Sequence, residues 1–355
     1  MTDNRRLMVV ATLITVAFIL VALPVHAQVD DQPRIERPRV DTGPQIQIDP
    51  RVLQRPNLRL RTSNIEFRAK FDERLLERAS NMNLYRLQES PVNVETMMRL
   101  AEQYTVTGQQ QQFGNMIAVT DDDSSFMMLD RETGRLAFNV NLADLIDDNP
   151  GELPSDREAG QIAMEFLREN QLMPDAQQAV VAHVGRIMST SDQINRPMAQ
   201  ALVVHFARQV DDVRVVGPGS KAVVQMGDGG KIAGGGVEWR ALGKPMELDP
   251  RQLRGVDDVQ KSIQDTLARE FKMARGIVVD RVGVFYHDAG GFLQPVVGYQ
   301  AQIQSGEFSY NYFGQVPLMQ QPPVQVGPQQ ISPEILERLQ KGPEDLRPQT
   351  EGEND

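Results

Sequence analysis

Residues 155–170, SDREAGQIAMEFLREN, decide the reading of this chain together with three segments that follow: AQALVVHFARQV (199–210), VRVVGPGSKAVVQM (213–226) and KIAGGGVEWRAL (231–242). Ser155 and Glu158 stand at capping-box spacing, so a helix begins there with two otherwise orphaned N–H groups satisfied. Ala159, Ile162, Ala163, Phe166 and Leu167 then recur at helical period, and Pro174 ends the segment. After the strand AVVAHVGRIMS (179–189), Leu202, Val204 and Phe206 alternate to one face of the next strand, with Val203, His205 and Ala207 on the other. Turn residues at Asp211-Asp212, Gly217-Pro218-Gly219 and 227–230 separate the later strands, and Gly234 to Gly236 signal a bulge or a close backbone approach.

The same plan recurs on both sides. Upstream, VNVETMMRLAEQY (92–104) places Val94, Met97, Met98, Ala101 and Tyr104 at helical spacing, and SSFMMLD (124–130) and RLAFNV (135–140) read as a hairpin turned at Gly134. An additional helix, FDERLLERAS (71–80), precedes it. Downstream, Val256, Val259, Ile263, Leu267 and Phe271 fall at spacings of three and four, with Asp257 and Asp258 favouring the positive helix start. GIVVDRVGVFYH (276–287), FLQPVVGYQAQI (292–303) and EFSYNYFG (307–314) then read as a meander, in which Pro295 predicts an edge position or a bulge. Helices followed by antiparallel strands give an α+β class. The expected architecture is a tandem series of units, each one amphipathic helix packed on a small antiparallel sheet, over residues 63–150, 151–250 and 251–315.

The flanks read differently. Arg5 and Arg6 precede an apolar stretch from Leu7 to Leu23, Pro24 breaks it, and Ala27 offers a small residue for cleavage, so 1–27 is expected to be a signal peptide that exports the chain to the periplasm or the exterior. The rival reading is an uncleaved anchor facing outside the cytoplasm, since the stretch approaches the roughly 18–20 residues that span a bilayer. Residues 28–62 are Pro/Gln-rich and short of large apolar side chains, which predicts a disordered tether. Residues 316–355 read as a Pro/Gln-rich and acidic tail with a short helix after Ser332.

Composition narrows the function. The chain has no cysteine, which removes thiol nucleophiles and cysteine-based zinc sites and leaves stability to apolar burial. Loss of the leader removes Arg5, Arg6 and Asp3 and moves the formal charge from −11 to −12. So acidic a chain is poorly suited to nucleic acid, whose binding rests on neutralising phosphates, and its expected membrane contact is limited to an uncleaved leader.

No HExxH and no G-x-S-x-G occurs. His183, His205 and His287 sit in or beside predicted strands, so a metal centre or a triad needs the fold to gather them. The glycines around Lys231 read as strand turns rather than a phosphate cradle, because no helix starts after them. Asp121 to Asp123 lack the alternating spacing of a calcium loop. Neither a cofactor nor a metal is expected.

The helix EAGQIAMEFLREN (158–170), the strands that follow it and the turn MGDGGKIAG (226–234) resemble the PepSY and fungalysin/thermolysin-propeptide group of extracytoplasmic domains. DRETGRLAFNV (130–140) is similar to the closing hairpin of PepSY modules, and YHDAGGFLQPVVGYQAQI (286–303) resembles the last strands of the same group. The resemblance implies modules that assist or restrain secreted proteases, or bind partners at the cell surface. With no protease domain in the chain, that role is expected in trans. Aromatic residues supply the candidate partner surface: Phe308, Tyr310 and Tyr312 alternate to one face of a strand, with Phe285, Tyr286 and Tyr299 on neighbouring strands. The bland reading of the same set is a core face beneath the third helix.

The resulting expectation is an exported, non-catalytic binding or regulatory protein whose partner is an extracytoplasmic protein or peptide, proteases among them. The alternatives are a hydrolase with a dispersed active site and a structural envelope or surface component.

Overall fold

A computed structural model of the chain describes residues 64–71, 73–121, 125–140, 152–189, 198–306 and 308–326. The leader, the tether, the tail beyond residue 326, and Asp122 and Asp123 lie outside the described residues. The described chain opens with β1 (Ile65–Phe67), α1 (Glu73–Ser80) and β2 (Asn83–Leu87). Asn93 caps α2 (Val94–Gln103) by accepting from Thr96 N at 3.0 Å, and Met97, Leu100 and Ala101 form the buried face. A meander follows, made of β3 (Gln110–Phe113), β4 (Met116–Thr120), β5 (Phe126–Asp130) and β6 (Arg135–Asn139). Gly134 turns its last hairpin at φ +70°, and Asp130 Oδ1 accepts from Glu132 N at 2.9 Å to brace the turn.

α3 (Asp156–Glu169) starts on the capping box: Ser155 Oγ accepts from Glu158 N at 3.3 Å, and Glu158 Oε2 accepts from Ser155 N at 2.9 Å. Its buried face is Ala159, Gly160, Ala163, Phe166 and Leu167. Then come β7 (Ala179–Ser189), β8 (Met198–Val210), β9 (Val213–Val216), β10 (Lys221–Met226), β11 (Ile232–Glu238) and β12 (Leu242–Glu247). The glycines of β11 mark close approach: a Cβ on Gly235 would lie 2.4 Å from Val223 O.

α4 (Val256–Glu270) buries Val259, Ile263 and Leu267, each worth roughly 1.5–3 kcal/mol when removed from water. β13 (Gly276–Asp288), β14 (Phe292–Ser305) and β15 (Phe308–Pro317) end the described fold. β14 is central, so Pro295 is neither on an edge strand nor at a register shift. On the flank of β14 away from β13, β2 pairs as far as Leu293 and β15 begins at Val296. The Pro295 carbonyl accepts from Leu318 N at 3.4 Å, so its nitrogen points to that same gap, where no ladder bond is lost. No helix among the described residues is long and apolar enough to cross a membrane.

The expectation of tandem α+β units, each with its own small antiparallel sheet, is overturned. The strands form one 15-stranded mixed sheet, and four α-helices accompany it among the described residues. The reason is that strands far apart in the sequence pair across the expected unit boundaries and close edges that separate units would leave open. β6 pairs β11 from Leu136↔Val237 to Asn139↔Gly234, so the first meander and the strands after α3 become one run, β7-β8-β10-β11-β6-β5-β4-β3. β2 pairs both β12 and β14, and β1 pairs β13 in parallel. The two runs are joined by β9, which pairs β8 at Val213↔Val210 and then β13, in parallel, at Val215↔Tyr286.

Two hydrophobic cores result. One holds Leu100, Met127, Leu136, Phe166, Leu167, Val204 and Phe206 beneath α2 and α3. The other holds Val259, Ile263, Leu267, Val279, Tyr286, Tyr299 and Ile303 beneath α4, with Ala79 of α1.

Candidate functional site: a groove beside an edge strand

Buried charge is the first place to look for chemistry, and here it lies where the two cores meet. Arg208 points inward from β8 in phase with Val204 and Phe206 and is fully buried. Its guanidinium carbon stands 4.4 Å from the centroid of the Trp239 ring, Nη1 donates to Ser220 Oγ at 3.2 Å, and Nη2 donates to Arg240 O at 2.6 Å. Ser220 in turn donates to Asp288 Oδ2 at 2.5 Å, while Asp288 Oδ1 accepts from Gly290 N. Burial pulls the Arg208 pKa down to about 10, so it keeps its charge at neutral pH. Arg240 adds a clamp, donating to Thr133 O and Glu132 O of the β5–β6 turn and to Gly290 O after β13. Arg208, Ser220 and Asp288 are at most 2% exposed, so no ligand reaches them without opening the fold. This seam fastens the two sheet runs together.

His287 closes the seam. Burial lowers its pKa, Gln315 and Asp288 draw it back up, and Lys221 opposes them. Because the folded value lies below the ordinary 6.5, the unfolded chain takes up the proton first. Stability attributable to His287 is therefore whole above about pH 6.5 and is lost as pH falls toward the folded value. Urea midpoints measured at pH 7.5, 6.5 and 5.5 are expected to decline, and to decline less in His287→Gln. Parallel profiles for the two proteins would contradict the assignment.

The accessible concavity is elsewhere. β7 pairs only with β8 among the described residues, so its other edge presents unpaired backbone N–H and C=O groups along 11 residues. α3 lies over this strand and β8. Gly160 permits the contact, since a Cβ there would already stand 3.3 Å from Val181 Cγ2. Between the helix flank and β7 runs a groove of about 780 Å³, within the size range of ligand sites. Gly160, Met164, Val181 and Val184 give it an apolar lining, and Arg157, Gln161, Glu165 and Arg168 line it with polar groups. Asp156 Oδ1 accepts from Arg186 Nη2 at 2.5 Å, tying the start of α3 to β7. Val181 is 47% exposed although it follows a run of apolar residues. Register shifts at Val181/His183 and Ile187/Met188 bend the strand.

The aromatic residues singled out from the sequence divide. Tyr286 and Tyr299 lie in the second core, where burial pushes both phenol pKa values up, and Tyr286 Oη accepts from Asn83 N at 3.1 Å. Gly314 leaves room for the Tyr299 ring: a Cβ there would fall 2.2 Å from its Cζ. Tyr312 is half-buried, its ring centroid 4.8 Å from that of Phe271 and edge-on to it. Phe285, on the face opposite Tyr286, is half-buried and lies against Gly283 and Gly298. Phe308 (78% exposed) and Tyr310 (46%) reach the surface, joined by Phe313 and Met273, which the sequence reading missed. Phe308, Tyr310 and Phe313 lie on β15 and Met273 in the turn between α4 and β13, and none of them lines the groove.

No family model matches this chain, and no curated protein matches it.

Proposed function

We propose that this chain is an exported, non-catalytic binding protein that holds an extended segment of another extracytoplasmic polypeptide as an added strand on β7, in the groove beside α3. The observation that carries the reading is the conjunction of a long unpaired strand edge with an apolar lining at side-chain reach. Strand addition draws affinity from main-chain hydrogen bonds and specificity from pockets for alternate side chains. Gly160, Met164, Val181 and Val184 would receive every second side chain of the guest, and the mixed charges of the α3 flank would set its register. Secreted proteases are one source of such segments, following the resemblance of the local turns and helices to propeptide modules.

The test is selection from a displayed library of extended peptides, followed by affinity measurement on the full-length protein. Met164→Glu places a charge against the apolar lining and is expected to weaken a selected peptide by about tenfold or more. Each main-chain bond contributes roughly 0.5–1.5 kcal/mol, so methylating alternate peptide nitrogens in the bonding phase should abolish measurable binding, while the opposite phase is tolerated. Selected peptides that bind Met164→Glu like the parent and tolerate methylation in both phases would refute strand addition on β7.

A second reading places the partner surface at the start of β15, favoured by the exposure of Phe308 and Tyr310, which share one face of that strand. Peptides indifferent to Met164→Glu but lost on Phe308→Ala would select it.

A further inference from the structure

The fold brings together two histidines that are 22 positions apart in the sequence. His183 on β7 and His205 on β8 are directly opposite each other. Their ring centroids are 5.9 Å apart and their planes are inclined by 32°. Imidazole nitrogen binds Zn²⁺ at about 2.0–2.1 Å, so two rings sharing one ion have centroids up to roughly 6.5 Å apart, and closer as the angle at the metal narrows. The observed spacing falls inside that limit. We infer that His183 and His205 form a two-imidazole site for a divalent transition-metal ion of the class that favours nitrogen ligands, namely Cu²⁺, Zn²⁺ or Ni²⁺.

The two rings differ in their surroundings. His183 is exposed, so an ion has access from solvent, whereas His205 is half-buried and held on a central strand. Among the described residues no cluster of three or more His, Asp or Glu forms a larger centre. The ion would thus keep open positions for water or a further donor. Oxygen-seeking Mg²⁺ and Ca²⁺ have no claim on such a pair.

The ion would sit on the face of β7 opposite Val181 and Val184, beside the register shift between Val181 and His183. It would stitch the edge strand to β8 without filling the groove, and it stands whether or not the groove binds a peptide.

The decisive measurement is calorimetric titration of the untagged full-length protein with CuCl₂ and, separately, ZnCl₂ at pH 7.5. One saturable equivalent is expected for at least one ion, with Cu²⁺ paramagnetic resonance showing coupling to two imidazole nitrogens. Losing even an outer hydrogen-bond partner of a ligand costs roughly 10- to 100-fold in metal affinity, so His183→Gln and His205→Gln should each lower affinity at least tenfold. His183→Gln carries the test if the half-buried His205 variant misfolds, because His183 is exposed. The inference fails if neither ion binds saturably, or if His183→Gln binds with the parent's affinity and nitrogen coupling.

Discussion

Replacing Asp288 with alanine is expected to lower the unfolding free energy by about 3–5 kcal/mol, the usual cost of leaving a buried charge without its counterpart. Arg208 is fully buried and reaches Asp288 through Ser220, whose hydroxyl accepts from the guanidinium and donates to the carboxylate. Without the carboxylate, Ser220 and Gly290 N each lose their partner and the positive charge stays in place. Asp288→Asn should cost less, because it retains polar groups at the site. Removing both charges together, as Arg208→Leu with Asp288→Leu, should cost less than the sum of the single changes, since two charges taken out of water gain little over well-packed apolar groups. Urea denaturation of the four proteins gives the coupling directly. A cost for Asp288→Ala below about 1 kcal/mol would mean that another acid, Asp175 being the one whose field reaches Arg208, compensates the guanidinium.

Gly217→Ala is the second severe change, and it strikes the same junction through the backbone. Gly217 has φ +103°, which side chains strongly disfavour, and an added Cβ would lie 2.4 Å from Asp288 O and 3.0 Å from the His287 ring. Conformational strain and overpacking each cost roughly 1–3 kcal/mol, so a combined loss of about 3 kcal/mol or more is expected. Gly229→Ala provides the comparison: its φ is +59° and nothing stands within 4 Å of the added carbon. It should lose about 1 kcal/mol. If thermal unfolding moves both variants equally, the steric argument at Gly217 is wrong.

The local elements were readable because their causes are local. Ser155 and Glu158 announce α3, the period of Val259, Ile263 and Leu267 announces α4, and Gly134 announces the β5–β6 turn. The sheet was not readable, because alternation says which face a residue takes and nothing about which strand lies beside it. The pairing of β6 with β11, about a hundred residues apart, and the parallel pairing of β9 with β13 come from long-range closure. The tandem-unit expectation failed there.

For the sites, Phe308, Tyr310 and Tyr312 showed their common face in the sequence, but an aromatic beneath a helix and one at a surface carry the same pattern. Tyr299 and Phe308 therefore looked alike and ended at 3% and 78% exposure. Two further signals stand in the sequence. Arg208 continues the inward phase of Leu202, Val204 and Phe206, which marks a buried charge in need of a partner. Met164 stands off the apolar stripe of α3, on the flank that borders the groove.

The packing of Trp239 against Arg208 has one more consequence. Trp239 is the sole tryptophan of the chain and is 1% exposed at the place where the two sheet runs meet. Its fluorescence is thus a native optical reporter of that junction, free of any introduced label. A partial opening that parts the sheet runs while leaving both helical layers folded would shift its emission to the red before far-ultraviolet dichroism changes, so the two signals together time the release of the junction against the loss of the rest.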